Sequence, residues 1–134
     1  MDGLAAGAGK AVRSAHMSRV QLDVSVKGFT DQHGYTEYVI STTYRSQQYT
    51  VPQRYSAFAE LHEQLASKYE ALTWAFPVPK ALFVHDGVKR DRVMKLQDYL
   101  HRVLEAMNGA APPREVMEFL GVPPALGLHS GKYA

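Results

Sequence analysis

The sequence contains no cysteine, a single tryptophan and no long apolar run. Without cysteine there is no disulfide framework and no thiolate ligand for zinc, which is typical of a cytosolic domain. No apolar run approaches the roughly 18 residues that span a bilayer. Residues 1–10 lack the basic start and the apolar centre of a secretory signal. The sequence therefore predicts a domain that would meet a membrane only from its surface.

The sequence also lacks a strong excess of either charge. Its 15 lysines and arginines face 13 aspartates and glutamates, so the formal net charge is +2. This small excess does not indicate a nucleic-acid partner, and any basic site must come from local clustering. A chain of 134 residues that is 46% hydrophobic fits one folded domain with modest tails. We predict a flexible leader at 1–17, a domain at 18–122 and a tail at 123–134.

Motifs for catalysis and for metal binding are missing as well. The six histidines are scattered, and no pair has the i, i+4 spacing with a third ligand that zinc requires. No nucleophile elbow and no pair of carboxylates stands out. Residues 7–10 (GAGK) superficially suggest a phosphate loop, but Leu4 and Ala11 replace the glycine and the serine or threonine of that motif. We therefore predict no enzyme, no bound metal and no cofactor.

The first half of the domain shows the patterns of β-strands. Residues 20–27 alternate between apolar and polar side chains, and residues 35–44 are rich in strand-forming residues. Between them, residues 28–34 contain a turn sequence. Strand character resumes at 48–51 after a short polar link. Three consecutive strands with short links predict an antiparallel meander.

After Pro52 the apolar residues change to helical spacing. Ser56 is a plausible N-cap for a first helix, whose buried face is predicted to consist of Phe58, Leu61, Leu65, Tyr69 and Leu72. His62 lies near that face, which favours packing over metal ligation. A second helix is predicted at 89–107, and a short third helix after Pro113 ends at Gly121. The fold class is therefore α+β, with a three-stranded meander packed against a helical subdomain.

The junction between the third strand and the first helix carries two candidate binding residues, Arg54 and Tyr55. The planar fork of an arginine can bind a phosphate through two parallel hydrogen bonds. A helix start adds free amides and a positive dipole, both of which favour an anion. A tyrosine ring beside it can lie against the flat face of a sugar or cyclitol. We predict that this corner binds a phosphorylated headgroup; the alternative is an ordinary pair at a strand end.

Two further basic residues are candidates for the same site. Lys80 follows Pro77 and Pro79 on a stiff segment, which would hold a point charge over an anion. Arg92 lies near the boundary of the apolar face of the second helix, from which it can turn toward a cleft. For each residue the alternative is a solvated side chain.

The proline-rich loop at 73–88 is unusually apolar for a surface segment. Its large side chains would be costly in water unless they pack or meet an apolar partner. They are Trp74, Phe76, Leu82, Phe83 and Val84.

These segments, in this order and with these gaps, resemble the phox-homology (PX) domain, as in sorting nexins. The resemblance covers the predicted domain at 18–122. It rests on three motifs, which are Arg54-Tyr55-Ser56-Ala57-Phe58, Pro77-Val78-Pro79-Lys80 and the stretch 92–100 (RVMKLQDYL). The chain departs from the family at Gln53 and Ala57, where a basic and an acidic residue are frequent. Neither departure removes a headgroup contact.

The resemblance implies a cytoplasmic domain that binds phosphatidylinositol 3-phosphate and associates peripherally with endosomal or vacuolar membranes. Carried over by position, Arg54 would bind the 3-phosphate and Tyr55 would stack on the inositol ring. Lys80 would contact the 1-phosphate, and Arg92 would hydrogen-bond the 4- and 5-hydroxyls. The membrane-inserting part of the loop would consist of Leu82, Phe83 and Val84.

A second hypothesis keeps the fold and changes the partner. The apolar loop or the tyrosine-rich strands would then hold another protein, with weak or no lipid binding. Exposed apolar side chains in residues 74–84 motivate this alternative.

Overall fold

The computed structural model describes residues 22–107 and 111–123. The predicted leader at 1–17, the start of the first predicted strand at Val20 and all of the predicted tail except Pro123 lie outside those residues. Within them the chain forms a three-stranded sheet followed by helices. The predicted α+β class is confirmed.

The sheet is an antiparallel meander in the order β1-β2-β3, as predicted. Its strands are β1 (Leu22–Gln32), β2 (Tyr35–Tyr44) and β3 (Gln47–Gln53). Each hairpin turn has two residues with positive φ, at 33–34 and at 45–46. Such turns match the right-handed twist of the strands that they join. The two turns lie at opposite ends of β2, because that strand pairs with both of its neighbours in the chain.

The first strand is longer than predicted. It continues through Gly28 to Gln32, where the sequence predicted a turn. The register of pairing with β2 shifts between Val26 and Gly28, which is a β-bulge that accommodates one extra residue. Beyond a bulge the side-chain alternation changes phase, so the period of two no longer reveals the strand. Only residues 33–34 form the turn itself.

The first helix, α1 (Tyr55–Lys68), begins before Ser56, so the predicted N-cap is wrong. The N-cap is Arg54, whose backbone is already extended and whose carbonyl accepts from the amides of Ala57 and Phe58. The helix also ends at Lys68, so Tyr69 and Leu72, which were predicted to belong to its buried face, lie beyond it. Tyr69 is extended, and Leu72 is buried from a separate 3-10 turn. Leu72 thus reaches the core by tertiary packing, without belonging to α1.

The second helix, α2 (Asp86–Ala106), begins three residues before the predicted start at Lys89. His85 precedes it, and its Nδ1 accepts a hydrogen bond of 3.1 Å from the amide of Gly87. This cap satisfies one amide of the first turn. The spacing of apolar residues, from which the helix was predicted, does not show such a cap. Histidine is not among the usual capping residues, which is why the earlier start was missed.

The third helix, α3 (Arg114–Phe119), has Leu120 as its C-cap and is closed by the next residue, Gly121, the glycine that was predicted to end it. Gly121 has φ 76°, and the amides of Gly121 and Val122 donate to the carbonyls of Glu118 and Met117. This is the Schellman arrangement, in which a left-handed residue closes the helix. A Cβ at Gly121 would lie 3.2 Å from Cβ of Val51. The glycine therefore allows α3 to approach β3 closely.

Side-chain hydrogen bonds attach the sheet to the helices on both edges. On β1, the amide of Val26 donates to Oε1 of Gln97 at 2.9 Å, and Nε2 of His101 donates to the carbonyl of Val24 at 2.7 Å. On β3, Nε2 of Gln53 donates to the carbonyl of Phe119 at 2.6 Å. The core between these layers is a single cluster that includes Tyr38, Ile40, Phe58, Leu65, Leu96, Tyr99 and Val103.

The start of the proline-rich loop packs against the helices. Trp74 and Phe76 are half-buried, with ring centroids 4.7 Å from His62 and 5.0 Å from Tyr99, respectively. His62 is itself buried, with Nδ1 3.0 Å from the hydroxyl of Tyr99. The predicted packing role of His62 is therefore correct. Among the described residues there is no cluster that could hold a metal ion and no helix suited to crossing a membrane.

Candidate functional site

Arg54 lies where β3 passes into α1, and its side chain is exposed. Its guanidinium carbon lies 4.2 Å from the ring centroid of Tyr35, at the start of β2. Within residues 22–107 and 111–123 the guanidinium has no carboxylate partner. The hydrogen-bond donors of this fork thus remain available to an anion at the helix start.

Tyr55 is the first residue of α1 and is half-buried. Its hydroxyl donates a hydrogen bond of 2.6 Å to the carbonyl of Val78 in the proline-rich loop. Burial raises the pKa of this hydroxyl, and the nearby Arg92 only partly opposes the effect. Tyr55 therefore stays protonated and connects the helix start to the loop.

Arg92 lies in the second turn of α2 and is only 6% exposed. Its guanidinium carbon lies 4.0 Å from the ring centroid of Tyr55. One terminal nitrogen donates a long hydrogen bond of 3.4 Å to the carbonyl of Pro79. Its buried Nε has no acceptor among the described residues. A buried donor without a partner is costly, so the contact with Tyr55 and the bond to Pro79 leave Arg92 only partly satisfied.

Lys80 is exposed in the loop and immediately follows Pro79. Consecutive Cα atoms lie about 3.8 Å apart, so the contact between Arg92 and Pro79 also holds the backbone of Lys80 beside α2. In the described part of the chain, its ammonium group forms no salt bridge. Its charge is carried on a flexible stem at the edge of this cluster.

Three distant segments therefore meet around Tyr55. Arg54 precedes it in the chain, Arg92 stacks on its ring, and its hydroxyl reaches the loop that carries Lys80. The three cations lack carboxylate partners within the described ranges, whereas Lys68 pairs with Glu115. A cluster of basic side chains without carboxylate partners, next to a helix start, is suited to binding an anionic group such as a phosphate.

The apolar tip of the loop points into solvent. Leu82 is 89% exposed and Phe83 is 77% exposed, and Val84 beside them is exposed as well. In contrast to Trp74 and Phe76 earlier in the loop, these side chains do not enter the core. An exposed pair of large apolar residues next to a basic cluster is suited to an interface that is both apolar and anionic.

The structure adds residues that the sequence did not single out. Tyr35 lies against Arg54, although its sequence context indicated only a strand. Asp31, near the end of β1, accepts hydrogen bonds from Thr36 and from Lys89 of α2 at 2.6 and 2.9 Å. The turn sequence around 31–34 was visible in the chain, but nothing local shows that this hairpin reaches α1 and α2.

Two comparisons with known proteins bear on this arrangement. The sequence model of the PX domain family matches residues 41–123. Among solved structures, a designed CISK-PX domain determined by X-ray crystallography is similar in fold, with a TM-score of 0.64 and 24% sequence identity. That match covers 73% of this chain and 97% of the designed domain.

Proposed function

Because this chain belongs to the PX domain family, whose members are generally phosphoinositide-binding modules that target membranes, we propose that it recognises phosphatidylinositol 3-phosphate on endosomal or vacuolar membranes. Domains of this family are typically non-enzymatic. In this proposal the lipid is bound reversibly and no bond of the lipid is made or broken.

One observation carries the proposal, namely that Tyr55 contacts Arg92 and the loop before Lys80 and directly follows Arg54 in the chain. Arg92 stacks on the Tyr55 ring at 4.0 Å, and the Tyr55 hydroxyl holds the loop before Lys80 at 2.6 Å. We assign Arg54 to the 3-phosphate, Lys80 to the 1-phosphate and Arg92 to the 4- and 5-hydroxyls.

Tyr55 is assigned to the inositol ring, and the geometry adds a condition. The guanidinium of Arg92 lies over one face of the Tyr55 ring. An inositol stacked on the opposite face would be separated from Arg92 by the phenol ring. In this proposal the inositol therefore packs against the edge of the Tyr55 ring, where the in-plane donors of Arg92 can reach its 4- and 5-hydroxyls.

Two kinds of energy combine in this proposal. Hydrogen bonds to charged groups contribute about 1.5–3 kcal/mol each, and they depend on the position of the phosphate. Transfer of Leu82 and Phe83 into the bilayer interface would contribute up to about 1.5–3 kcal/mol for each side chain. The headgroup supplies specificity and the loop supplies membrane affinity, so recruitment requires both.

The deciding experiment is a vesicle-binding panel. Phosphatidylcholine vesicles would carry equal fractions of phosphatidylinositol 3-phosphate, phosphatidylinositol 4-phosphate or phosphatidylserine. The first two lipids have the same headgroup charge and differ in the position of the phosphate. We expect binding to the 3-phosphate to exceed binding to the 4-phosphate at least tenfold, a difference that one charge-assisted hydrogen bond can supply.

Two arginine variants complete the panel. Arg54→Gln should lower binding to the 3-phosphate at least tenfold while lowering the free energy of unfolding by less than about 1 kcal/mol, because the side chain is exposed. The matched control is Arg45→Gln, which removes an exposed arginine that lies against Tyr44 at the opposite end of β2. Equal binding of wild type to all anionic vesicles, or equal losses in the two variants, would refute the headgroup assignment.

The exposed loop tip allows a second candidate function, a protein-binding surface. Phe83→Ser separates the two. A membrane role predicts weaker vesicle binding with unchanged affinity for soluble inositol 1,3-bisphosphate. If the wild-type protein does not bind phosphoinositides, and Phe83→Ser abolishes binding of a protein partner, the protein-binding function replaces the lipid proposal.

A further inference from the structure

Tyr35 occupies a place that the headgroup assignments leave unexplained. It is the first residue of β2, immediately after the turn at 33–34, and it is 36% exposed. Its ring lies 4.2 Å from the guanidinium carbon of Arg54. Strand β2 and the N-cap of α1 are thus in contact through these two side chains, beside the candidate phosphate site.

A guanidinium that lies over a ring at this distance can stack by its flat face, which leaves its edges open. A carbon-to-centroid distance of 4.2 Å lies within the range of a cation–π contact. The five N–H donors of arginine lie in the plane of the group. An arginine held by its face therefore keeps the donors with which a fork binds phosphate.

The hairpin that carries Tyr35 is itself attached to the second helix. Asp31 pairs across the hairpin with Thr36 and accepts its hydroxyl at 2.6 Å. Asp31 also accepts from the ammonium group of Lys89 at 2.9 Å. Lys89 lies three residues before Arg92, on the same side of α2. The hairpin is thus attached to α2 one turn before Arg92, and it contacts Arg54 through Tyr35.

We propose that Tyr35 is a positioning residue, which holds the Arg54 guanidinium by its face in the orientation that binds a phosphate. The β1–β2 hairpin then forms a further wall of the headgroup site. This inference rests on the proposed phosphoinositide function, and it assigns a role to a residue outside the four expected contacts.

The physical advantage is preorganisation. A solvated arginine samples many rotamers, and binding must restrict them at an entropic cost. A stack formed before binding restricts them in the free protein. Exposed cation–π contacts are weak, so loss of the ring should weaken headgroup affinity about two- to fivefold, less than loss of the arginine itself.

The test uses the soluble headgroup, so that contact of an exposed aromatic with a bilayer does not contribute. Inositol 1,3-bisphosphate would be titrated into the full chain and into Tyr35→Phe, Tyr35→Ala and Tyr35→Leu, with affinities measured by NMR. We expect Tyr35→Phe to match wild type, because the ring face is retained. Tyr35→Ala and Tyr35→Leu should bind about two- to fivefold more weakly. The Nε–H signal of Arg54 should lose its ring-current shift in both.

The outcomes distinguish failure of the positioning role of Tyr35 from failure of the proposed phosphoinositide function. Wild-type affinity in Tyr35→Ala or Tyr35→Leu would overturn the positioning role, even if Arg54→Gln abolishes binding. Equal loss in Tyr35→Phe would also overturn it, since the hydroxyl and not the ring would then matter. If Tyr35→Ala does not fold, Tyr35→Leu gives the answer, because it retains apolar volume without a π face. Failure of wild type to bind 3-phosphate vesicles would refute the proposed function, and the positioning role with it.

Discussion

Two arginines of this domain lie against tyrosine rings, and the two stacks differ in their surroundings. Arg92 on Tyr55 is buried at the start of α1, whereas Arg54 on Tyr35 is exposed at the end of the first hairpin. The distances are nearly the same, 4.0 and 4.2 Å. The same type of contact, an arginine over a tyrosine ring, therefore occurs once in the protein interior and once at the surface.

Because of this difference in burial, the Arg92 contact contributes to the stability of the fold, whereas the Arg54 guanidinium stays available to a ligand. Around Arg92, protein atoms exclude water, and the stack contributes to holding α2 against α1. Around Arg54, solvent weakens the contact, so the guanidinium is oriented without being committed to the core. In the proposed function, the buried arginine supplies a rigid wall and the exposed arginine supplies the group that meets an incoming phosphate.

The largest expected effect distinguishes the two arginines by stability. Arg92→Ala should lower the free energy of unfolding by about 2 kcal/mol, because a desolvated stack and the packing of the stem are lost. Arg54→Ala should lower it by less than about 1 kcal/mol, since an exposed stack is weaker. Urea unfolding at neutral pH measures both. Equal losses would show that burial does not separate the stacks.

A smaller effect distinguishes the two tyrosines. Tyr55→Phe removes the hydroxyl that donates to Val78 at 2.6 Å. We expect it to lower the free energy of unfolding by about 1 kcal/mol and to increase hydrogen exchange in the proline-rich loop. Tyr35→Phe is the matched control, with an expected change within about 0.5 kcal/mol. Identical exchange rates in the loop of wild type and Tyr55→Phe would contradict this role of the hydroxyl.

The smallest effect concerns the anchor of the exposed stack, the Asp31 carboxylate. The hydrogen bond from Thr36, and secondly that from Lys89, lower its pKa below the ordinary value of 3.8. A carboxyl with a lowered pKa stabilises the folded state above its unfolded pKa and loses that contribution as the pH falls through the folded value. The anchor should therefore remain intact throughout the neutral and mildly acidic range.

An NMR titration of the Asp31 carboxyl carbon checks this expectation. The midpoint should lie below 3.8 in wild type. It should rise more in Thr36→Val than in Lys89→Met, because the hydroxyl is the larger cause. A wild-type midpoint at or above the ordinary value would show that the hairpin is not held by these hydrogen bonds.

Local patterns predicted most of the fold and failed at identifiable places. The meander, the helical face around Phe58 and the end of α3 at Gly121 followed from period and capping chemistry. The bulge after Val26 changed the phase of the alternation, so β1 was predicted too short. Ser56 was an acceptable cap by residue type, but the helix already starts at Tyr55, directly after the extended backbone of Arg54.

The residues of the candidate site were likewise predicted in part and missed in part. Arg54, Tyr55, Lys80 and Arg92 were singled out from local chemistry and from the family resemblance, and their roles toward a headgroup stay predictions. The exposure of Leu82 and Phe83 agrees with a loop that lacks a partner in the core. Tyr35 was not identified, because a tyrosine in a strand carries no local sign of what it faces across the fold.

The sequence by itself determined the strand and helix periods, the absence of cysteine-based sites and the order of the basic motifs. These properties depend on neighbouring residues, which a single chain displays directly. Only the tertiary structure decided that Arg92 is buried on Tyr55 while Arg54 stays exposed on Tyr35. Those pairings join residues far apart in the chain, and they depend on sheet register and helix packing, which no local period specifies.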